Sequence, residues 1–85
     1  MPFYVYIIQS LRDESYYVGT TQDLLNRIER HNQGRSTFTK TKRPWKLVYK
    51  EEHPDRSSAM KREYAIKHRK STDYILNLVD GTHPA

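Results

Sequence analysis

The chain has no cysteine, which excludes disulfide scaffolds, Cys-ligated zinc and cysteine nucleophiles. It has only three glycines, all far apart, and therefore no glycine-rich phosphate loop. The four histidines, His31, His53, His68 and His83, show no zinc-ligand spacing, and no serine sits in a nucleophile-elbow context. No apolar run approaches the roughly 18 residues of a membrane span. The start, Met1-Pro2-Phe3-Tyr4, lacks the charged opening and apolar block of a signal peptide. Hydrophobic residues make up only 35%, yet aromatics reach 12%, with seven tyrosines. Tyrosine-rich strands can close a core that so few aliphatic residues would not, which argues against disorder. Eighty-five residues suffice for one small domain. The expectation is a soluble cytoplasmic protein, with one domain over residues 1–81 and a short tail at 82–85.

What is abundant is positive charge, and it is unevenly placed. The formal net charge is +5, with 15 Lys+Arg against 10 Asp+Glu. Residues 27–50 hold eight basic side chains and one acid, Glu29, and residues 61–70 hold five and one, Glu63. A solvated helix face interleaves its signs, so this segregation favours a surface that faces phosphates. Neither segment pairs its charge with a large apolar face, which disfavours a membrane partner.

Phe3-Tyr4-Val5-Tyr6-Ile7-Ile8 is an uninterrupted β-branched and aromatic run, the pattern of a central strand buried on both faces. Ser10–Glu14 reads as a turn, and Ser15-Tyr16-Tyr17-Val18-Gly19 as a second strand hairpin-paired to the first. Thr20 or Thr21 is a candidate cap for a helix over residues 22–32, with Leu24, Leu25 and Ile28 as its apolar stripe and Gly34 as its stop. A basic loop follows to Pro44. Trp45–Lys50 reads as a third strand, broken by His53-Pro54-Asp55. Ser57 or Ser58 opens a helix to about Arg69, and a last helix starts at Ser71 or Thr72 and ends at Gly81. The order β-β-α-β-α-α implies an α+β domain, helices flanking a small three-stranded, mainly antiparallel sheet.

Helical spacing places Glu63 between Ala59 and Met60 and close to Ile66, inside an apolar stripe, with Lys61 and Arg62 pointing away. A carboxylate there is either one half of a structural salt bridge or a ligand for a hard cation, or a general base, in a cleft. Arg27 and His31, spaced i, i+4, share a helix edge. They are a surface pair or, beside a buried carboxylate, equipment for gripping a phosphate. Tyr4 and Tyr6 share one face of the first strand, where core packing is the ordinary role. A tyrosine acting as a base starts with a pKa about three units above neutrality, about 4 kcal/mol, which nearby cations would have to offset. The acidic pairs Asp13-Glu14 and Glu51-Glu52 fall at strand ends or turns and are expected to face solvent.

Taken in order, these residues resemble the GIY-YIG nuclease superfamily, specifically its small stand-alone bacterial single-domain members. Tyr4-Val5-Tyr6 stands at the first motif, with Tyr4 at the position of its glycine, and Tyr17-Val18-Gly19 stands at the second, with valine for isoleucine. The ten residues between Tyr6 and Tyr17 match the family spacing. Arg27 and His31-Asn32 follow as the pattern would have them, Thr41-Lys42-Arg43-Pro44 with Leu47-Val48-Tyr49 looks like the third strand and its approach, and Arg62-Glu63 matches the metal-binding glutamate. The resemblance spans roughly residues 3–70. The asparagine that many members carry after the glutamate has no near counterpart, Asn77 lying well downstream.

The resemblance implies a divalent-metal-dependent endonuclease acting on nucleic acid, DNA before RNA, in branched, damaged or single-stranded form. Glu63 would hold one Mg²⁺ or Mn²⁺, and Tyr6 or Tyr17 would orient or deprotonate the attacking water with His31 relaying the proton. Arg27 would neutralise charge on the phosphate, and Gly19 would let the backbone run close to substrate or turn tightly. Arg35, Lys40, Lys42, Arg43 and Lys46 would track the sugar–phosphate backbone. Two alternatives stand beside it: a nucleic-acid-binding module with weak or no activity, and a protein-interaction domain for an acidic partner. An accessory protein for targeting is compatible with the small size.

Overall fold

The computed structural model describes residues 2–69 and 72–81, so the expected 82–85 tail lies outside the described residues. Three strands form an antiparallel sheet: β1 (Phe3–Ser10), β2 (Tyr16–Thr21) and β3 (Trp45–His53), in the order β2-β1-β3. The apolar run therefore is the central strand, as its composition predicts. Its alternation divides two cores. Val5 and Ile7 pack with Val18 against Ala59, Ile66 and Leu78 of α2 (Arg56–Arg69) and α3 (Thr72–Asp80). Tyr6 and Ile8 pack on the opposite face with Trp45, Tyr17 and α1 (Leu24–Asn32), through Leu24 and Ile28.

Several element boundaries differ from expectation, each for a local reason. Thr20 and Thr21 belong to β2, and Asp23 caps α1, its carboxylate accepting from the Asn26 amide at 3.1 Å. Leu25 is 83% exposed, because the buried line of α1 is Leu24, Ile28 and His31, spaced i, i+4, i+7. Asp55, not Ser57 or Ser58, opens α2, accepting from the Ser58 amide at 2.8 Å. β3 continues past Lys50 to His53. Gly34 and Gly81 do stop their helices, both with positive φ. At Gly34 the Arg35 amide bonds back to Arg30 and the Gly34 amide to His31.

The loop between α1 and β3, which includes a 3-10 turn at Lys40–Lys42, is tied at both ends. The Asn32 side chain bonds both backbone groups of Trp45, at 2.6 and 3.1 Å, standing in for a strand neighbour. The Trp45 indole N–H donates to the Thr39 carbonyl at 2.9 Å. Buried Ser10 donates to the Lys42 carbonyl at 2.6 Å. These bonds bring Thr39 under α1.

Candidate active site

Tyr6 and Gly19 are paired across β1 and β2. A Cβ on Gly19 would lie 2.5 Å from the Tyr6 hydroxyl and 2.7 Å from its ring carbon Cζ, so only glycine lets the phenol lie flat over β2. Gly19 has no positive φ and makes no turn; the close approach it permits is that of Tyr6. Of the two expected reasons for a glycine here, the tight turn is thus excluded.

The Tyr6 hydroxyl lies 3.0 Å from Nε2 of His31, and Nδ1 of His31 lies 2.7 Å from the Thr39 hydroxyl. All three residues are buried, Tyr6 to 1% exposure. Burial, followed by the charges of Arg27 and Arg30, holds the His31 pKa below its ordinary value. Burial also pushes the Tyr6 phenol well above the ordinary tyrosine range, reinforced by Tyr17 and Glu63 and opposed by Arg27. Both are neutral at pH 7. Both ring nitrogens of His31 are engaged in this buried chain, and the residue also lines the cavity described next.

Tyr17 differs from Tyr6. Its ring meets His31 edge-on at 5.2 Å, yet its hydroxyl bonds no described residue. A cavity of about 200 Å³ opens here, lined by Tyr17, His31, Arg27, Arg30, Arg35 and Ser36. Glu63 does not line this cavity, but its charge is felt at the Tyr6 phenol. Its carboxylate bonds the Lys67 ammonium at 2.5 Å, and that ammonium sits 5.6 Å from the centre of the Tyr17 ring. Glu63 is half-buried, flanking the buried line Ala59–Ile66, whereas Met60, expected in the same stripe, is half exposed.

The structure thus gathers Tyr6, Tyr17, Arg27, His31 and Gly19, with Glu63 at their margin. Of the expected backbone-tracking cations, only Arg35 lines the cavity. Lys40 and Lys46 are exposed, Lys42 pairs with Asp13 at 3.4 Å, and the Arg43 guanidinium packs over Gly34. Sequence reasoning missed Thr39, Arg30 and Lys67. Lys67 is visible as an i+4 partner of Glu63, and Arg30 as a member of the basic run. Nothing local marks Thr39.

Two further expectations are overturned. Glu51 faces a helix rather than solvent: it accepts from Tyr49 at 2.5 Å and Arg62 Nε at 2.8 Å, and lies 2.8 Å from His53 Nε2. Arg62 likewise points inward, also reaching the Tyr74 hydroxyl at 2.9 Å. Burial pulls the Glu51 carboxyl upward, but these hydrogen bonds outweigh it and hold the pKa below the ordinary range.

The family model of the GIY-YIG catalytic domain matches residues 2–75. The chain belongs to the GIY-YIG family. A UPF0213 protein of Staphylococcus haemolyticus is 48% identical over 65 residues, covering 75% of this chain and 78% of that protein. A UPF0213 protein of Staphylococcus aureus (strain Mu50) is 45% identical over the same shares. The solution NMR structure of the UPF0213 protein BH0048 from Bacillus halodurans matches 92% of this chain and 85% of that one, at 34% identity and a TM-score of 0.56. The GIY-YIG domain gives this chain a nuclease fold, and the three-stranded α+β architecture agrees with that neighbour. Among the described residues of this GIY-YIG chain, no three His, Asp or Glu side chains cluster to hold a metal, and no helix is long and apolar enough to cross a membrane.

Proposed function

We propose that the protein is a divalent-metal-dependent endonuclease that hydrolyses phosphodiester bonds, DNA being its substrate, in the cytoplasm and with residues 1–81 as one domain. The observation that carries this reading is the small cavity where Arg27, Arg30 and Arg35 face Tyr17 and His31, with Glu63 alongside. Three guanidiniums converging on an open phenol suit a phosphate and an attacking water, and little else of comparable charge density.

The roles divide by exposure. Tyr17, whose hydroxyl is free, orients the attacking water. Arg27 leads the neutralisation of the charge that gathers on the phosphate oxygens. Tyr6, His31 and Thr39 form the buried chain behind Tyr17, and are positioning residues. In the tautomer with a proton on Nδ1, His31 donates to Thr39 and accepts from Tyr6. In the other tautomer both bonds reverse, so neutral His31 satisfies both neighbours either way.

The donor set fits a hard cation in a limited sense. One carboxylate suits Mg²⁺ or Mn²⁺, which keeps several waters and takes its remaining ligands from substrate phosphate. Glu63 would hold that ion, releasing Lys67 to do so. A bound ion would polarise the scissile phosphate and stabilise the leaving oxygen.

The test is cleavage of labelled single-stranded, duplex and branched DNA with Mg²⁺ or Mn²⁺, wild type beside Glu63→Ala. Metal-dependent products are expected from the wild type and none from the variant, with binding in EDTA unchanged. Equal cutting by both proteins would remove Glu63 from the mechanism. The Lys67 ammonium on the Glu63 carboxylate favours one competing reading, a binding module without activity. It gains if both proteins shift DNA in a gel and neither cuts.

A further inference from the structure

On the outer face of α2, away from the cavity just described, lies a second concavity. Arg56, Met60 and Tyr64, one turn apart, line it together with Ser57 and Lys61, and it has a volume of about 690 Å³. All five side chains lie on one face of α2, and the apolar ones are open to solvent: Tyr64 is 64% exposed and Met60 49%. Yet the Tyr64 ring is not adrift. His68, one turn on, stacks against it at 4.7 Å and an interplanar angle of 20°. An exposed aromatic ring, oriented by a neighbour and rimmed by two cations, matches a flat apolar ring attached to a phosphate.

Arginines shared with an intervening depression lead from this face toward the cavity. Arg56 lines both the groove and a cleft beside Thr20 and Thr21, and Arg27 lines both that cleft and the pocket of Tyr17 and His31. Arg56 and Arg27 thus stand between the Tyr64 face of α2 and the cavity of Tyr17.

Building on the nuclease reading, we propose that the Met60–Tyr64 groove is a subsite for an unpaired nucleobase. The strand that carries it runs on past Arg56 and Arg27 toward the pocket of Tyr17. A base inside a duplex keeps both faces stacked on its neighbours and offers none to Tyr64, so the substrate is single-stranded at this point: a free strand, a flap or a gap.

The test compares binding of a short single-stranded DNA containing 2-aminopurine with binding of a blunt duplex, in EDTA so that neither is cut. Tyr64→Ala is expected to weaken single-strand binding about tenfold, leave duplex binding unchanged, and abolish quenching of the 2-aminopurine fluorescence. Tyr64→Phe should behave as wild type, and both variants should melt with the wild type, since the side chain is exposed. Wild-type affinity of Tyr64→Ala for the single strand would overturn the proposal, as would an equal loss on both ligands. A concentration-dependent dimer that Tyr64→Ala abolishes, with strand affinity intact, would instead assign the groove to a second copy of the chain. Cleavage by the wild type separates the two readings. If strand binding depends on Tyr64 and wild-type protein never cuts, the subsite stands and the nuclease reading falls. If wild type cuts and Tyr64→Ala binds and cuts equally well, the subsite falls alone.

Discussion

His31 shows how much one buried side chain couples. The unfolded chain protonates it near its ordinary pKa of about 6.5. The folded chain resists, because burial and two arginines disfavour the imidazolium. Below that pH the unfolded state binds more protons, so stability falls as pH falls. The slope from this one group approaches, at most, about 1.4 kcal/mol per pH unit. Urea unfolding of wild type between pH 7.5 and 5 should show the decline, and His31→Gln should show a flatter profile from a lower start. Identical profiles would mean that His31 titrates freely. The Arg27–His31 spacing was legible in the sequence, as was Glu63 from its place in an apolar stripe. The Thr39 hydroxyl was not, because it arrives through a loop whose path is fixed by Asn32, Ser10 and Trp45 rather than by any local pattern. Gly19 was legible as a motif residue but not for its reason, since a ring on a neighbouring strand supplies it.

At the level of elements, composition predicted the central strand and both glycine stops, because these depend on residues close in sequence. It failed where partners are remote. β3 outruns its predicted end because Tyr49, Glu51 and His53 project together toward α2, where Arg62 holds the carboxylate eleven residues on. The expectation of a solvated Glu51 overlooked that an acid in a strand can be wanted by a helix. Arg62 then carries the link onward to Tyr74 of α3, whose ring also lies 4.5 Å from the Arg69 guanidinium. Glu51→Gln should lower stability by about 1.5–3 kcal/mol, the range for hydrogen bonds to a charged group. Glu51→Gln combined with Arg62→Gln should cost less than the sum of the two alone, because both remove the same bond. Additive losses in chemical denaturation would show that the two side chains act separately.

Across the whole molecule, the excess positive charge is not one uniform field. Lys40 and Lys46 stand exposed, whereas Lys42 faces Asp13. Removing a cation that contacts phosphate should shallow the dependence of log affinity on log salt by about 0.7–0.9 per contact. Lys40→Ala and Lys46→Ala should each do so, and Lys42→Ala should do so less. Equal slopes for all three, read from binding titrations at several salt concentrations, would mean that Asp13 does not compete with phosphate. The placement of β1 has a consequence of a different sort. The strand that seats Tyr6 under the pocket also supplies Val5 and Ile7 to the opposite layer, so it is the shared keel of the two cores. A substitution that loosens β1 should therefore disturb the seat of Tyr6 and the layer under α2 and α3 together.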